Sequence, residues 1–231
     1  MVKQKLEIKM SDKPRIRPID PNDTNGIMKL YFKAVETFLK RVPNSRRIAA
    51  HTPMVAMLML PFTATLQREG AGGLLSSKIK EIAIIKTSHL NGCNYWLAHN
   101  TSLGQAAGIT EEQVQVIGSE NYLTSDKLSG RERAAVLWAE HVTKNTARSR
   151  DDIFEKVCQF FNESEIVELT MIIAYFNMNN RFIDSLKIPI EHETEVEKIK
   201  SSVALDPSKV RQYLQTILDN WPEEFPKPNP D

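Results

Sequence analysis

The chain has 231 residues, and its 30 lysines and arginines nearly balance 29 aspartates and glutamates, giving a net charge of +1. This balance argues against a nucleic-acid binder or a polybasic membrane anchor, because both carry a strong basic excess. The longest apolar run, residues 54–62, is far shorter than the roughly 20 residues that a membrane-spanning helix needs.

The two cysteines, Cys93 and Cys158, bear on the compartment of the protein. The first residues are charged and contain no apolar segment typical of a signal peptide. We therefore expect a cytoplasmic protein with reduced thiols. No spacing of cysteine and histidine suits structural zinc, and we expect neither a metal nor a cofactor.

Proline marks both ends of the chain. We predict that residues 1–22, with three prolines, form a flexible N-terminal arm. Residues 206–231 are predicted to form a short helix over 207–220 and an irregular Pro-rich tail. The intervening residues, 23–205, are predicted to be one helical domain.

Apolar residues between these ends recur at the i, i+3, i+4 spacing of amphipathic helices. No segment alternates with a period of two, and glycine is scarce for a protein rich in tight turns. The sequence therefore predicts an all-α bundle. The predicted helices cover 28–42, 53–69, 76–90, 93–107, a stretch from 110, a stretch from 129, a stretch from 151, and 164–184.

The segment from Glu81 to Gly108 contains the candidate chemistry. Asn91 and Gly92 end one helix, so Cys93 falls at the first turn of the next. Unpaired N–H groups and the helix dipole favour a thiolate there, and we expect the pKa of Cys93 to be lowered. Because the chain reverses at Gly92, the two helices can bring Glu81 into a shared pocket as a buried acid or base.

These residues, together with residues 74–117 and 176–191, resemble the carboxymuconolactone decarboxylase family and its AhpD-like alkylhydroperoxidase branch. The resemblance implies an AhpD-like all-α bundle that forms homo-oligomers, trimers or hexamers, with pockets near the subunit contacts. The redox motif of that branch is Glu, eleven residues, Cys, two residues, Cys, three residues, His. Glu81 and Cys93 fit the first part of it.

The second part of the motif is absent. Trp96 stands at the second cysteine position and Asn100 at the histidine position, while His99 is one residue early and lies ~100° around the helix. An intramolecular disulfide between these positions is therefore impossible, and nothing in the sequence brings Cys158 near Cys93. Only one-cysteine chemistry remains for a redox enzyme.

The resemblance implies a peroxidase-like, antioxidant thiol enzyme as the leading function. Cys93, Glu81 and His99 would be catalytic, Asn100 and Trp96 would contact a small-molecule substrate, and an external thiol would reduce the sulfenic acid. The first alternative is a non-redox lyase or isomerase acting on a carboxylated lactone, with Arg181 as a carboxylate clamp. The second is a non-catalytic oligomeric ligand-binding protein.

Overall fold

The structure is a computed structural model, and it describes residues 13–225 and 227. Within that part the chain forms eleven α-helices and one isolated β-bridge, between Glu69 and Ala204, so the all-α prediction is confirmed. The helices are α1 (Gly26–Leu39), α2 (Asn44–Ala49), α3 (Pro53–Gln67), α4 (Ser77–Asn91), α5 (Asn94–Ala106), α6 (Glu111–Gly118), α7 (Gly130–Thr143), α8 (Asp151–Cys158), α9 (Glu163–Ser185), α10 (Glu193–Glu197) and α11 (Pro207–Asp219).

Capping residues set several helix boundaries where the sequence predicts them. Thr110 begins α6 and Ser129 begins α7, each in a reciprocal pair with the residue three positions later. The sequence prediction missed α2 and α10, because helices of six and five residues are too short to show a hydrophobic period.

Helix α4 is the centre of the larger group of helices. It packs against α5, α6, α7 and α9, and its isoleucines Ile82, Ile84 and Ile85 are buried on all sides. This explains its sequence, which is apolar nearly all round rather than on one face.

A second group is formed by α1, α3 and α11. Tyr213 of α11 lies edge-on against Phe38 of α1, with ring centroids 5.6 Å apart, and its hydroxyl donates to the carbonyl of Met57 in α3. The predicted C-terminal helix is thus present and is part of this apolar layer. The junction between the two groups contains the polar cavity described below.

The predicted N-terminal arm is described only from residue 13, and residues 1–12 lie outside the described part. From there it follows the surface of the helices: the amide of Arg15 donates to the carbonyl of Leu186, and the amide of Ile19 to that of Arg47. In the predicted tail, residues 226 and 228–231 are also outside the description. None of the helices that the structure describes is long and apolar enough to cross a bilayer.

Candidate functional site

Cys93 is the N-cap residue of α5, directly after Gly92, whose left-handed backbone (φ 69°) ends α4. The predicted position of the thiol is therefore confirmed. The side chain is fully buried among apolar residues that include Ile48, Ile183 and Ile188. The thiol is therefore buried in an apolar cluster rather than exposed in a cleft.

Burial raises the pKa of the Cys93 thiol from 9.0 to about 12. Its hydrogen bond to the carboxylate of Asp184 acts in the same direction, because a thiolate there faces a negative charge. The amides of Trp96 and Tyr95 lower the pKa, but by less than burial raises it. The expectation of a lowered pKa at this helix start is therefore wrong: desolvation exceeds the effect of the helix terminus.

Glu81 lies on α4 and is also fully buried, but among polar groups. Its Oε1 accepts a hydrogen bond of 2.9 Å from Nε2 of Gln67, which also donates to Oδ1 of Asn100 at 2.8 Å. Its Oε2 has no hydrogen-bond partner among the residues described. Burial raises the pKa of Glu81 to about 8, although the charges of Arg68 and Lys80 and the bond from Gln67 oppose the rise.

Glu81 and Cys93 lie at different levels of the α4–α5 pair. Glu81 lies beside Gly104 of α5: a Cβ added to Gly104 would be 3.4 Å from the Cβ of Glu81. Gln67 also links Glu81 to Asn100 on the same helix. Cys93 precedes Asn100 by seven residues, which is about 10 Å along a helix. In the described part of the chain no hydrogen bond links the thiol to Glu81, whose bonded partner is Gln67.

His99 is buried between two hydrogen-bond acceptors. Its Nδ1 is 2.7 Å from the carbonyl oxygen of Tyr95, and its Nε2 is 2.8 Å from Oε2 of Glu191. Both ring nitrogens are therefore engaged by oxygen atoms of the protein. His99 is predicted to be catalytic, and in the structure its two ring nitrogens contact the Tyr95 carbonyl and the Glu191 carboxylate.

Glu191, in the segment after α9, is hydrogen-bonded to residues of both α5 and α2. Its carboxylate also accepts from the hydroxyl of Tyr95 at 2.9 Å and from the amide of Asn44 at 2.5 Å. Burial raises the pKa of Glu191, but the hydrogen bond and charge of His99 and the charge of Arg41 hold it near 2. Glu191 is therefore a fixed negative charge, and the sequence analysis missed it.

The three predicted substrate contacts have different surroundings. Asn100 belongs to the Glu81 cluster and donates to the carbonyl of Trp96 at 2.7 Å. The ring of Trp96 packs edge-on against Phe176, and its Nε1 lacks a hydrogen-bond partner among described residues. Arg181 is exposed and donates to the carbonyl of Asn177 on its own helix. The predicted clamp at Arg181 is therefore corrected: this side chain caps its own helix turn at the surface.

Three other arginines, Arg41, Arg46 and Arg68, are buried around one cavity, and we refer to them as the arginine cluster. Arg46 donates to Oγ1 of Thr63 at 3.1 Å, and Nη1 of Arg41 lies 3.5 Å from Oε2 of Glu191 without forming a hydrogen bond. Burial lowers the pKa of Arg68 to about 10, with Glu81 opposing the change and the other two arginines adding to it.

The arginine cluster lines a small cavity between α2, α3 and α5. The volume that the centre of a water molecule can reach is about 20 Å³. Its wall combines the three arginines with Gln67, Tyr95 and Trp96, and with apolar side chains such as Leu39 and Ile199. One feature of the sequence indicates this site. Arg68 directly follows the apolar helix α3, and the burial of that helix also buries the charge of Arg68.

Comparisons with known proteins identify the family and the fold. A sequence profile of the carboxymuconolactone decarboxylase family matches residues 58–141, which span α4, α5 and Glu81. The uncharacterized protein YdfG of Bacillus subtilis (strain 168) is 30% identical over 103 residues, or 44% of this chain and 69% of YdfG.

Solved structures share the fold. A peroxidase-related protein from Ralstonia eutropha JMP134, described as an alkylhydroperoxidase AhpD core, superposes with a TM-score of 0.66 at 18% identity, over 80% of this chain and 96% of the other. The debrominase Bmp8 gives a TM-score of 0.58 at 21% identity, over 79% and 96%. The bundle is thus AhpD-like, and the chain belongs to the carboxymuconolactone decarboxylase family.

Proposed function

We propose that this protein is an enzyme that uses Glu81 for acid–base chemistry on a small molecule whose acid group enters the cavity between α2, α3 and α5. The reaction class is that of a lyase or isomerase, and the substrate is a carboxylated lactone or a related ring acid. Sulfur has no redox role in this reaction.

The observation that carries the proposal is the state of the Glu81 carboxyl. A general acid or base works best when its pKa is near the working pH, and burial raises that of Glu81 to about 8. Its Oε2 has no hydrogen-bond partner among the side chains described. A buried carboxyl with a shifted pKa and a free oxygen is typical of a functional site.

Gln67 connects Glu81 with the cavity, because it lines the cavity and donates to Oε1 of Glu81. In an isomerisation, the Glu81 carboxylate takes a proton from a carbon next to a carbonyl, and the electron pair of the C–H bond moves into a new double bond. The protonated carboxyl then returns the proton at another carbon. No electron acceptor is needed.

The test is proton exchange and turnover with a panel of carboxylated lactones in D₂O, followed by NMR. We expect deuterium at the carbon next to the carbonyl, and a loss of about 10²- to 10⁴-fold in rate for Glu81→Gln, the usual contribution of a general base. Glu155→Gln, on the exposed face of α8, is the matched control and should keep the parent rate. No exchange in the parent, or full exchange in Glu81→Gln, would overturn the proposal.

The second candidate is the one-cysteine peroxidase. A specific feature favours it: the Tyr95 and Trp96 amides donate to Cys93 at the start of α5. The thiolate would attack the hydroperoxide, giving an alcohol and a sulfenic acid. Two external thiols would then reduce the sulfenic acid to the thiol, releasing water and a disulfide. The buried, high-pKa thiol ranks this candidate below the first.

We also propose that copies of the chain associate through α3. Val55, Leu58 and Phe62 on this helix are about half exposed, and Phe62 lies against Tyr175 of α9, next to exposed Met171. An apolar surface of this kind is typical of subunit contacts. Light scattering should give a multiple of the chain mass that falls for Leu58→Glu; a parent that is monomeric at micromolar concentration would exclude this association.

A further inference from the structure

We propose that the arginine cluster binds the acid group of a small anion, a carboxylate or phosphate group, through the free guanidinium nitrogens of Arg41 and Arg68. If the anion is the substrate, this inference rests on the proposed function and names the charged group that the enzyme recognises. Binding of the anion itself does not require that Glu81 react.

Charge is unbalanced in this part of the interior. Of the three buried arginines, Arg41 lies beside the ionised carboxylate of Glu191, which also accepts from His99, Tyr95 and Asn44, and Arg68 lies near Glu81, which is protonated below about pH 8. A buried charge without a counter-charge is costly, so an anion is the partner that the cluster lacks.

The other groups around the arginines do not supply that charge. Arg46 is surrounded by hydroxyl groups, with Tyr31, Tyr175 and Thr63 within interaction distance. Lys80, on the same helix as Glu81, pairs with Glu168 at 2.7 Å. Glu168 is therefore already matched to a cation of its own.

The cavity is lined by buried N–H donors that no described residue accepts from. Nε and Nη1 of both Arg41 and Arg68 are buried and make no hydrogen bond to any described residue, and the same holds for Nε1 of Trp96. All three side chains line the cavity. Each of these N–H groups can donate a separate hydrogen bond to an oxygen of a carboxylate or phosphate, and the charge of the guanidinium strengthens that bond.

The cavity limits the size of the ligand. About 20 Å³ is open to the centre of a water molecule, which is slightly more than one water needs. This space is too small for a ring, so only the acid group of a ligand can enter it. The rest of the ligand must then lie towards the apolar rim formed by Leu39, Pro43 and Ile199.

Glu81 competes with the anion for Arg68. Above its pKa of about 8, Glu81 is ionised and supplies a negative charge next to Arg68 from within the protein. His99 and Tyr95 face the cluster from α5 but are held by Glu191, which stays ionised throughout this range. We therefore expect affinity to fall as pH rises above 8, and Glu81→Gln to remove that fall.

The experiment measures binding by titration calorimetry and by the melting temperature of the full chain. The probes are inorganic phosphate and malonate, with neutral malonamide and sodium chloride at equal ionic strength as controls. At one hundred times the dissociation constant, a bound anion should raise Tm by about 5 to 10 °C. The stronger of the two probes distinguishes phosphate from carboxylate recognition.

Substitutions of the arginines test whether the cluster binds an anion or only stabilises the fold. We expect Arg41→Gln and Arg68→Gln each to lose at least tenfold in affinity, whereas Arg211→Gln, on the exposed face of α11, keeps the parent value. Arg68→Gln should also melt no lower than the parent when no anion is present, since it removes an unpaired buried charge. If one variant does not fold, the other decides.

Two results would overturn the inference: neither anion stabilises the parent beyond sodium chloride, or both arginine variants keep the parent affinity. The proposed function fails separately. Anion binding without deuterium exchange on any lactone leaves the anion site intact, whereas exchange that depends on Glu81 without anion binding leaves only the acid–base chemistry.

Discussion

Burial acts in the same direction on the thiol region around Cys93 and the carboxyl region around Glu81, but with opposite consequences for reactivity. Both groups are fully buried on the α4–α5 pair, and burial raises the pKa of each. For the thiol the change from 9.0 to about 12 moves the reactive form out of reach at neutral pH. For the carboxyl the change from 4.5 to about 8 brings both protonation states into reach. Burial therefore makes Cys93 a poor nucleophile and gives Glu81 a pKa suited to acid–base chemistry.

The largest expected effect is on thiol reactivity. In Cys158→Ser, Cys93 is the single thiol of the 231-residue chain. Its pKa of about 12 lies three units above 9.0, so a much smaller fraction of it is thiolate at neutral pH. We expect its reaction with a disulfide probe to be about 1000-fold slower than that of free cysteine, because the thiolate is the nucleophile.

The control for this measurement is the same variant in guanidinium, where Cys93 should react at the rate of free cysteine. Rapid reaction in the native protein would contradict the contrast between the two regions. It would also raise the one-cysteine peroxidase above the acid–base enzyme.

A smaller effect concerns the pH dependence of stability. Below pH 4.5 Glu81 is protonated in both the folded and the unfolded chain. Between pH 4.5 and about 8 the unfolded chain releases a proton that the folded chain keeps, so the free energy of unfolding falls as pH rises. Chemical denaturation at pH 5 and pH 8 should show a loss on the order of a few kcal/mol.

In Glu81→Gln this loss should largely disappear, and the variant should be more stable than the parent at pH 8. Glu191 does not interfere, because its pKa near 2 affects stability only in the acid range. Glu155→Gln should follow the parent curve. If the parent and Glu81→Gln have parallel curves, Glu81 is ionised in the folded protein and the basis for its acid–base role is lost.

The smallest effect is that of truncating the thiol. Cys93→Ala removes one buried atom from an apolar cluster and should cost about 1 kcal/mol of unfolding free energy. The cost should be equal at pH 5 and pH 8, because the thiol is protonated in both states of the chain. A cost that grows with pH would indicate that the thiolate is stabilised in the native structure.

The helices were predictable because their signals are local. The capping residues Thr110 and Ser129 and the stop at Gly92 act within one or two turns, and each boundary lies where the sequence indicates. The position of Cys93 at the start of α5 followed from the same local logic.

The site was predictable only in part. The spacing from Glu81 to Cys93 identified a buried acid, but not that its partners would be Gln67 and Arg68 rather than the thiol. Arg41 and Glu191 meet from positions 150 residues apart, so no local pattern joins them. Arg181 stood out in the sequence as the candidate clamp and lies at the surface.

The sequence by itself determined the helical architecture, the family and the placement of a thiol and an acid on consecutive helices, because hydrophobic period, capping and spacing are properties of neighbouring residues. Only the tertiary structure decided how those groups ionise. The pKa of a buried group depends on the solvent it loses and the charges it meets. Here these come from α3, α9 and the segment around Glu191, which the chain brings together only on folding.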